Sequence, residues 1–295
     1  MTPASGMLLL DKPAGLTSFQ ALAGVKKALA CGRVGHVGTL DRFADGLLPV
    51  LAGASTRLAF AMQGLDKSYR AVFVFGRSTA TLDPEGEVVA EGEVPALEAI
   101  LLAREAFLGR IQQVPPDYSA VHVGGKRAYR LARRGETPQL AARTVEIRRL
   151  EVVRYDPPEL ELQVDCSKGT YVRALARDLG RKAGSCAFVS KLTRTKVGGF
   201  RLEEAVRPED IDADRDLQPP SRFLRRLGTL GFLELDPRCR QQVLNGMPLL
   251  DQWCLQPPGE DGLYALFEGP ERLLALVRRS AGRFDYQAVF PEGQD

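Results

Sequence analysis

The chain has 295 residues, of which 44% are hydrophobic and 26% charged, so it is long enough for one large domain or a domain with a small module. The net charge is only +3, and five cysteines without a Cys-x-x-Cys pair and two histidines argue against a metal centre. The odd cysteine count fits a reducing compartment, and no apolar run approaches a membrane-spanning length. We therefore expect a cytoplasmic protein with no bound metal, no membrane contact and no secretory leader.

The first predicted elements are a buried strand and an amphipathic helix. Residues 7–10 form an apolar run, and the turn Asp11-Lys-Pro-Ala-Gly15 follows. Thr17 or Ser18 can then cap a helix. Its apolar positions, spaced by three and four residues, are Phe19, Leu22, Val25 and Leu29. From the residues alone, Lys12 is either a solvated turn lysine or a brace for a neighbouring loop.

The stretch after this helix is rich in glycine and polar residues. Gly35 and Gly38 flank His36, and Asp41 follows three residues after Gly38. Glycine permits a shaped loop, which can present His36 and Asp41 to a ligand. The alternative is a surface loop in which Asp41 caps the next helix.

Residues 69–75 predict a strand that begins with Tyr69, in which every second residue faces the same side. The turn Asp83-Pro-Glu-Gly86 predicts a hairpin between this strand and Val88-Val89. From the residues alone, Tyr69 is a half-buried aromatic side chain at the start of a strand.

Two later elements show clear periodicity. Residues 159–166 alternate and predict a strand with one buried face, and residues 171–183 carry apolar side chains at helical spacing. Arg173 lies outside the apolar stripe of this helix, where a solvated arginine is the usual interpretation. Leu192 lies in the next apolar stretch, where a core leucine is the usual interpretation.

Positive charge is concentrated between His122 and Arg154. Nine basic residues against three acidic ones leave this segment a local charge of +6. The basic residues are Lys126, Arg127, Arg130, Arg133, Arg134, Arg143, Arg148, Arg149 and Arg154. Such a segment is typical of proteins that bind a phosphate backbone, and the interleaved Tyr129 suits base stacking. Arginine-rich segments also occur in proteins that do not bind nucleic acid.

The last third of the sequence changes in character. The acidic, proline-containing stretch 208–220 is the most linker-like part of the chain. Beyond residue 230, short apolar runs alternate with glycine and proline turns, which predicts a small β-rich module.

The stretch from Gly35 to Pro49 closely resembles the catalytic motif of the bacterial tRNA pseudouridine-55 synthases, the TruB family. That motif reads Gly-His-x-Gly-x-Leu-Asp-Pro-x-Ala-x-Gly-x-Leu-Pro. The matching residues are Gly35, His36, Gly38, Leu40, Asp41, Ala44, Gly46, Leu48 and Pro49. Arg42 stands where the family usually has proline.

Further segments are similar to other motifs of the family, in the same order along the first two-thirds of the chain. They are Asp11-Lys-Pro-Ala-Gly15, Lys67-Ser-Tyr-Arg70, Pro115-Pro-Asp-Tyr-Ser-Ala120, Cys166-Ser-Lys-Gly-Thr-Tyr-Val-Arg173 and residues 188–200. The resemblance implies that Asp41 is catalytic, that Arg173 is its partner and that Tyr69 contacts the target base. It also implies that Leu192 lines the base pocket.

The resemblance implies an RNA surface as well. His36 contacts bases near a flipped nucleotide, and Lys12 braces the catalytic loop or contacts RNA. The segment 122–154 corresponds to an insertion that grips RNA, in which the substrate-binding residues would be Lys126, Arg127, Tyr129 and Arg130. The C-terminal module resembles a PUA-type RNA-binding domain.

We therefore predict an α+β fold with a mixed, mainly antiparallel sheet flanked by helices and a small C-terminal β-rich, PUA-like domain. The predicted catalytic domain spans residues 1–225, with the basic insertion at about 122–154, and the PUA-like domain spans residues 226–295.

The expected activity is isomerisation of uridine to pseudouridine at position 55 in the T-arm loop of tRNA, by an aspartate nucleophile acting on a flipped-out uridine. The resemblance implies no redox cofactor, metal or ATP. We expect a monomer that needs no protein partner. The alternatives are a guide-RNA-dependent pseudouridine synthase and a non-catalytic RNA-binding or tRNA-folding protein.

Overall fold

The computed structural model of the chain describes residues 5–119, 121–123, 125–132 and 134–294. The strands are β1 (Gly6–Lys12), β2 (Val34–His36), β3 (Asp45–Ala52), β4 (Lys67–Phe75), β5 (Arg77–Thr79), β6 (Val88–Glu91), β7 (Gly109–Gln113), β8 (His122–Val123), β9 (Lys126–Arg127), β10 (Arg143–Asp156), β11 (Glu159–Cys166), β12 (Ala187–Val197), β13 (Phe200–Arg201), β14 (Gly231–Glu234), β15 (Gly262–Glu268), β16 (Arg272–Ser280) and β17 (Arg283–Gln294). The helices are α1 (Ser18–Ala28), α2 (Ala59–Met62), α3 (Leu97–Arg104), α4 (Ala128–Ala132), α5 (Val172–Lys182), α6 (Ala213–Asp216), α7 (Pro220–Leu224) and α8 (Arg240–Leu244).

The described residues fall into two compact units. The terminal unit is drawn from Met1–Leu40, Leu47–Leu65 and Gly198–Asp295, and the central unit from Asp41–Gly46 and Asp66–Val197. These units differ from the division near residue 225 that the sequence predicts, which stays a prediction. In the part of the chain that the structure describes, no helix is long and apolar enough to cross a membrane.

The central unit is built on a sheet in which β12, β4, β11, β10 and β7 lie side by side in that order. Each neighbouring pair is antiparallel. Alternate residues of β11 are buried, which confirms the strand with one buried face predicted for residues 159–166. Helix α5 packs against β12 and β4, and its bounds confirm the helix predicted for residues 171–183.

The hairpin predicted between residues 69–75 and Val88-Val89 is wrong. Strand β4 pairs with β11 and β12 instead, and Val88 lies on β6, which pairs with the short strand β5. Gly76 ends β4 with a φ of +81°, so the chain turns out of the large sheet before the predicted hairpin begins. The turn at residues 83–86 therefore connects β5 to β6.

In the terminal unit, β1 lies beside β3, and β2 pairs with β3 in antiparallel fashion. Helix α1 begins after the N-cap residue Thr17, as predicted, but Phe19 is 72% exposed and is not part of the buried stripe. The buried positions are Ser18, Ala21, Leu22 and Val25. The buried face of α1 therefore includes Ser18. Phe19 lies about 100° further round the helix axis and faces away from the core.

The C-terminal residues of the terminal unit form the predicted strand-rich region. Strands β14, β15, β16 and β17 make a four-stranded sheet with one parallel pair, β14 with β15. Its hydrophobic core includes Leu235, Leu266 and Leu274. The stretch predicted to be linker-like is partly packed, because Gln218 exchanges backbone hydrogen bonds with Met7 of β1.

Candidate active site

The loop that carries Asp41 is joined to the central sheet at its C-terminal end. Asp45 and Gly46 pair in parallel with Thr193 and Arg194 of β12. Gly46 has a φ of +96°, and a Cβ atom on it would lie 2.5 Å from the carbonyl oxygen of Arg194. Only glycine permits both the conformation and the close approach, so this motif residue is required by the geometry of the loop.

The residue that precedes Asp41 in the chain is also fixed. Within the terminal unit, the Ser18 hydroxyl donates to the carbonyl oxygen of Leu40 at 3.0 Å and accepts the Leu40 N–H at 2.8 Å. Both backbone polar groups of Leu40 are therefore satisfied in a buried setting. The loop therefore begins at Leu40, which is bound by Ser18, and ends at Asp45 and Gly46, which pair with β12.

Asp41 is held by the guanidinium group of Arg173. Nε of Arg173 donates to Oδ2 of Asp41 at 2.8 Å, and Nη2 donates to Oδ1 at 3.0 Å. This is the two-pronged arrangement in which arginine binds a carboxylate most strongly. Arg173 lies in the first turn of α5, and its side chain is only 5% exposed. The arginine that the periodicity suggested to be solvated is in fact buried.

The remaining donors of Arg173 are also occupied. Nη1 donates to the carbonyl oxygen of Thr81 at 2.9 Å and lies 3.2 Å from Oδ2 of Asp83. Nη2 also donates to the carbonyl oxygen of Tyr118 at 3.0 Å. A guanidinium with all its sides bound has one available orientation, which fixes the direction in which Asp41 is presented.

Two carboxylates therefore share one buried arginine, and they differ in accessibility. The side chain of Asp41 is 36% exposed, whereas that of Asp83 is 7% exposed and also accepts a hydrogen bond from the Thr81 hydroxyl at 2.5 Å. A substrate can reach Asp41, while Asp83 is positioned to hold the arginine. The sequence interpretation missed Asp83, because an aspartate before proline at a turn has a local explanation.

The start of α5 is itself anchored by a buried glutamine. Nε2 of Gln113 donates to the carbonyl oxygen of Tyr171 at 3.2 Å, and Oε1 accepts the Tyr171 N–H at 2.8 Å. Tyr171 is the N-cap residue of the helix, and its own side chain makes no cap. Gln113 thus supplies the support that fixes the first turn and Arg173 on it.

Strand register brings Tyr69 and Leu192 to one face of the central sheet. Tyr69 on β4 lies opposite Arg194 on β12, and Ala71 lies opposite Leu192. Residues two apart on a strand face the same side, and directly opposed residues share that side. Tyr69, Leu192 and Arg194 therefore belong to a single surface of the sheet.

The Tyr69 phenol is in a poorly hydrated setting. Burial raises the pKa of Tyr69 to about 12, against the opposing effect of Arg194, whose side chain hydrogen bonds to it. Burial also lowers the pKa of Arg194 below its ordinary value. The phenol is therefore neutral near pH 7 and keeps its proton.

The two other predicted contacts near the catalytic loop lie in the terminal unit. Lys12 is buried, and its ammonium donates to the carbonyl oxygens of Pro13 and Leu16 at 2.9 and 2.7 Å. These hydrogen bonds brace the turn at residues 13–16, and the predicted brace of the catalytic loop or contact with RNA stays a prediction. His36 is half-buried on β2, opposite Val50 of β3.

The basic segment divides into two parts. Three of the four arginines on β10 have acidic partners, namely Arg148 with Asp66 and Glu146, Arg149 with Glu151, and Arg154 with Asp156. Among the described residues, Arg127, Arg130 and Arg134 form no ion pair. Residues 122–142 keep five basic residues against one acidic one, a charge of +4. Most of the uncompensated charge of the segment therefore lies before β10.

Tyr129 lies between the unpaired arginines. Its hydroxyl accepts a hydrogen bond from Nε of Arg130 at 3.4 Å, and Arg127 also hydrogen bonds to it. A half-buried tyrosine with two guanidinium groups beside it is suited to stacking and phosphate contacts. The side chain of Lys126 and all of Arg133, also predicted to contribute, lie outside the described residues.

Comparison with known proteins gives matches along nearly the whole chain. A relative from Borreliella burgdorferi (strain ZS7), named tRNA pseudouridine synthase B, is 45% identical over 210 residues, covering 70% of this chain and 74% of the relative. One of the same name from Burkholderia mallei (strain NCTC 10247) is 39% identical over 283 residues, covering 94% of both chains. The model of the TruB family pseudouridylate synthase (N-terminal domain) matches residues 26–172.

Solved structures share the fold. A chain in a crystal structure of a Cbf5-Nop10-Gar1 complex gives a TM-score of 0.74 at 25% identity, with 96% of this chain and 84% of that chain covered. A chain in the structure of an H/ACA RNP bound to a substrate RNA containing 2′-deoxyuridine gives 0.72 at 23%, with 97% and 84% covered.

Fold and relatives together define an α+β enzyme of the pseudouridine synthase class. Within that class, the chain belongs to the TruB family of pseudouridylate synthases.

Proposed function

We propose that this protein converts uridine to pseudouridine at position 55, in the T-arm loop of tRNA, and that Asp41 is the nucleophile. The observation that carries the proposal is the reachable Asp41 carboxylate, bound through both oxygens by the buried Arg173. Burying charged groups costs free energy. Binding RNA does not require such a buried pair, so the pair favours an enzyme over an RNA-binding protein without activity.

Arg173 suits the chemistry of the proposed nucleophile. Its two N–H donors bind both carboxylate oxygens, and this two-pronged contact orients them. Isomerisation breaks the bond from uracil N1 to C1′ of the ribose, turns the base and joins its C5 to C1′. The hydrogen on C5 leaves to solvent, and N1 carries a proton in the product. An anionic oxygen next to the sugar or the base assists this exchange, and its fixed position lowers the entropic cost of the step.

The surface formed by Tyr69 and Leu192 suits a uridine that has left its stack. A flipped base needs replacement contacts for its faces, and an aromatic ring with an aliphatic side chain can supply both. Burial raises the pKa of Tyr69 to about 12, so its neutral phenol can hydrogen bond to the base without adding negative charge. We therefore assign Tyr69 to base stacking and Leu192 to the apolar wall of the pocket.

The tRNA substrate is supported by the relatives, two of which are named tRNA pseudouridine synthase B. The uncompensated charge on residues 122–142 supports a phosphate-binding role for Arg127, Tyr129 and Arg130. Contacts of this kind fix the position of the RNA without reading its sequence. The RNA roles of His36 and the C-terminal strand-rich region remain predictions, as do the monomeric state and the cytoplasmic location.

The guide-RNA-dependent alternative has weaker support. The chains from the Cbf5 and H/ACA assemblies share the fold at 23–25% identity, whereas the two relatives named tRNA pseudouridine synthase B share 39–45%. The proposed enzyme therefore acts on tRNA directly.

The test uses purified protein and an unmodified tRNA transcript labelled as [5-³H]uridine, with no guide RNA or accessory protein. We expect tritium release of one equivalent per tRNA, and pseudouridine mapped at position 55. A matched transcript with cytidine at position 55 should release no tritium. Release that requires an added guide RNA, or that maps to another position, would contradict the proposal.

A further inference from the structure

Arg194 is a buried arginine that the site described above leaves without a catalytic role. It is 1% exposed and is the largest fully buried side chain among the described residues. It lies on β12, two residues after Leu192 and directly opposite Tyr69 of β4. Replacing a buried ion by an apolar side chain is often neutral or stabilising, so a guanidinium at a core-facing position calls for a reason beyond packing.

The side chain of Arg194 reaches the Tyr69 phenol. Its guanidinium hydrogen bonds to the phenol, and the Asp41 carboxylate lies close enough to act on both groups electrostatically. A guanidinium only donates, so the phenol oxygen is the acceptor and its own proton stays available for a different acceptor. The hydrogen bond at the far end of the ring also fixes the direction of the ring's long axis.

The backbone of the same residue meets the catalytic loop. Arg194 pairs with Gly46, and its carbonyl oxygen and nitrogen lie 2.5 and 2.9 Å from the position that a Cβ on Gly46 would occupy. One residue thus contacts both the end of the loop that carries Asp41 and the phenol group of Tyr69. Its side chain holds the Tyr69 phenol, and its backbone holds Gly46 at the end of the loop.

We propose that Arg194 is a positioning residue for the isomerisation, which holds the Tyr69 side chain in the position required for contact with the flipped uracil. The proposal rests on the proposed function, since it concerns the same site. Arg194 does not touch the reacting atoms and acts through the Tyr69 hydroxyl. Its loss should therefore slow the chemical step while leaving tRNA affinity nearly unchanged.

The test is a double-mutant cycle on the full-length protein. The variants are Arg194→Met, Tyr69→Phe and the double variant, and the readouts are the single-turnover rate at saturating tRNA, the Kd for tRNA and Tm. Arg194→Met should lower the rate about 10- to 100-fold, the effect of losing a hydrogen bond to a charged group. In the Tyr69→Phe background the same change should have almost no further effect, because the hydroxyl through which it acts is absent.

A matched control distinguishes positioning from general loss of stability. Val189→Ala removes two methyl groups from a fully buried position on β12 without touching a charge. It should lower Tm and leave the rate below the melting range unchanged. Arg194→Lys, which keeps the charge with one compact donor, should recover part of the rate in the Tyr69 background only.

The outcomes separate the two proposals. If the wild-type protein does not modify uridine 55, the proposed function fails. If it does, and Arg194→Met slows the reaction by the same factor with Tyr69 and with Phe at position 69, Arg194 does not act through the hydroxyl and the inference is wrong. An unchanged rate in Arg194→Met would overturn it as well. Should Arg194→Met fail to fold, Arg194→Lys run through the same cycle decides the question.

Discussion

Arginines occur in two contrasting settings in the central unit, the candidate active site and the basic segment 122–154. In the site, Arg173 and Arg194 are nearly inaccessible, and each has fixed partners. In the segment, Arg127, Arg130 and Arg134 are on the surface and form no ion pair among the described residues. Salt screens interactions between buried charges only weakly. Interactions between exposed charges are largely screened beyond about 10 Å at 0.1 M salt.

This difference assigns separate roles to the two groups. The buried arginines act through geometry, so substitutions there should change the rate of the chemical step. The surface arginines act through the number of charges near phosphate, so substitutions there should change affinity and its salt dependence. The comparison would lose its meaning if either group affected both quantities to the same extent.

The largest effect is expected for the proposed nucleophile. Asp41→Asn keeps the size of the side chain and removes its charge, and we expect the single-turnover rate to fall by several orders of magnitude with the Kd for tRNA nearly unchanged. Asp83→Asn is a matched control, because it makes the same change on the other carboxylate of Arg173. We expect it to slow the reaction far less. Equal losses in both variants would remove the distinction between a reacting and a supporting carboxylate.

The next largest effect is expected for Arg173→Lys. Lysine keeps the positive charge but cannot bind both oxygens of Asp41 and the carbonyls of Thr81 and Tyr118 at once. Losing two charge-assisted hydrogen bonds should reduce the rate by about 10²- to 10⁴-fold. Arg177→Lys, one turn further along α5, should leave the rate as it is. A rate near that of the wild type in Arg173→Lys would show that charge alone is sufficient.

A smaller effect on rate, together with lower stability, is expected for Gly46→Ala. The new methyl group would lie 2.5 Å from the carbonyl oxygen of Arg194, so the loop that carries Asp41 must shift. We expect Tm to fall by about 5 °C or more and the rate by about 10-fold or more. Gly109→Ala has a similar φ of +79° but open space around it, so it should cost Tm less and leave the rate unchanged. Identical behaviour of the two variants would mean that backbone strain, not contact with Arg194, is what matters.

The smallest effect on the chemical step is expected from the surface arginines. Two triple variants, each changing three arginines to glutamine, remove the same net charge from residues that are unpaired or paired with acids. The unpaired set is Arg127, Arg130 and Arg134, and the paired set is Arg148, Arg149 and Arg154.

The unpaired set should weaken tRNA binding and reduce the slope of log affinity against log salt by about 0.7 to 0.9 for each lost phosphate contact. The paired set should change the slope much less. Neither set should change the rate at saturating tRNA. Equal slopes in both variants would place the RNA surface outside residues 122–142.

Local pattern was sufficient for the elements with strong periodicity. Alternation in residues 159–166 predicted β11, and helical spacing predicted α5 to within one residue at each end. Local pattern could not predict the contact between Asp41 and Arg173, because the two residues are 132 positions apart in the sequence. Only the family resemblance predicted it. The prediction that Phe19 is buried was wrong because a helix with two partly apolar faces can bury either of them. In α1 the buried face is the one that contains Ser18.

The residues that were missed depend on contacts distant in sequence. Asp83 has a sufficient local explanation at its turn, and only Arg173 on α5 gives it a second role. One feature of the sequence could have indicated Arg194. It alternates with Leu192 on a strand whose other core-facing positions are apolar, which is unusual for an arginine. The partner of β4 could not be read from its own sequence, since strand periodicity defines faces but not neighbours.

The central claim, that the buried cluster performs the chemistry and the surface segment holds the RNA, is tested most directly on the wild-type protein by its response to salt. The measurement is the single-turnover rate at saturating tRNA, together with the Kd, between 50 and 200 mM salt. We predict that affinity falls by about 10²-fold while the rate at saturation stays constant. A rate at saturation that falls in step with affinity would contradict the claim, because it would mean that the screened surface charges also act in the chemical step.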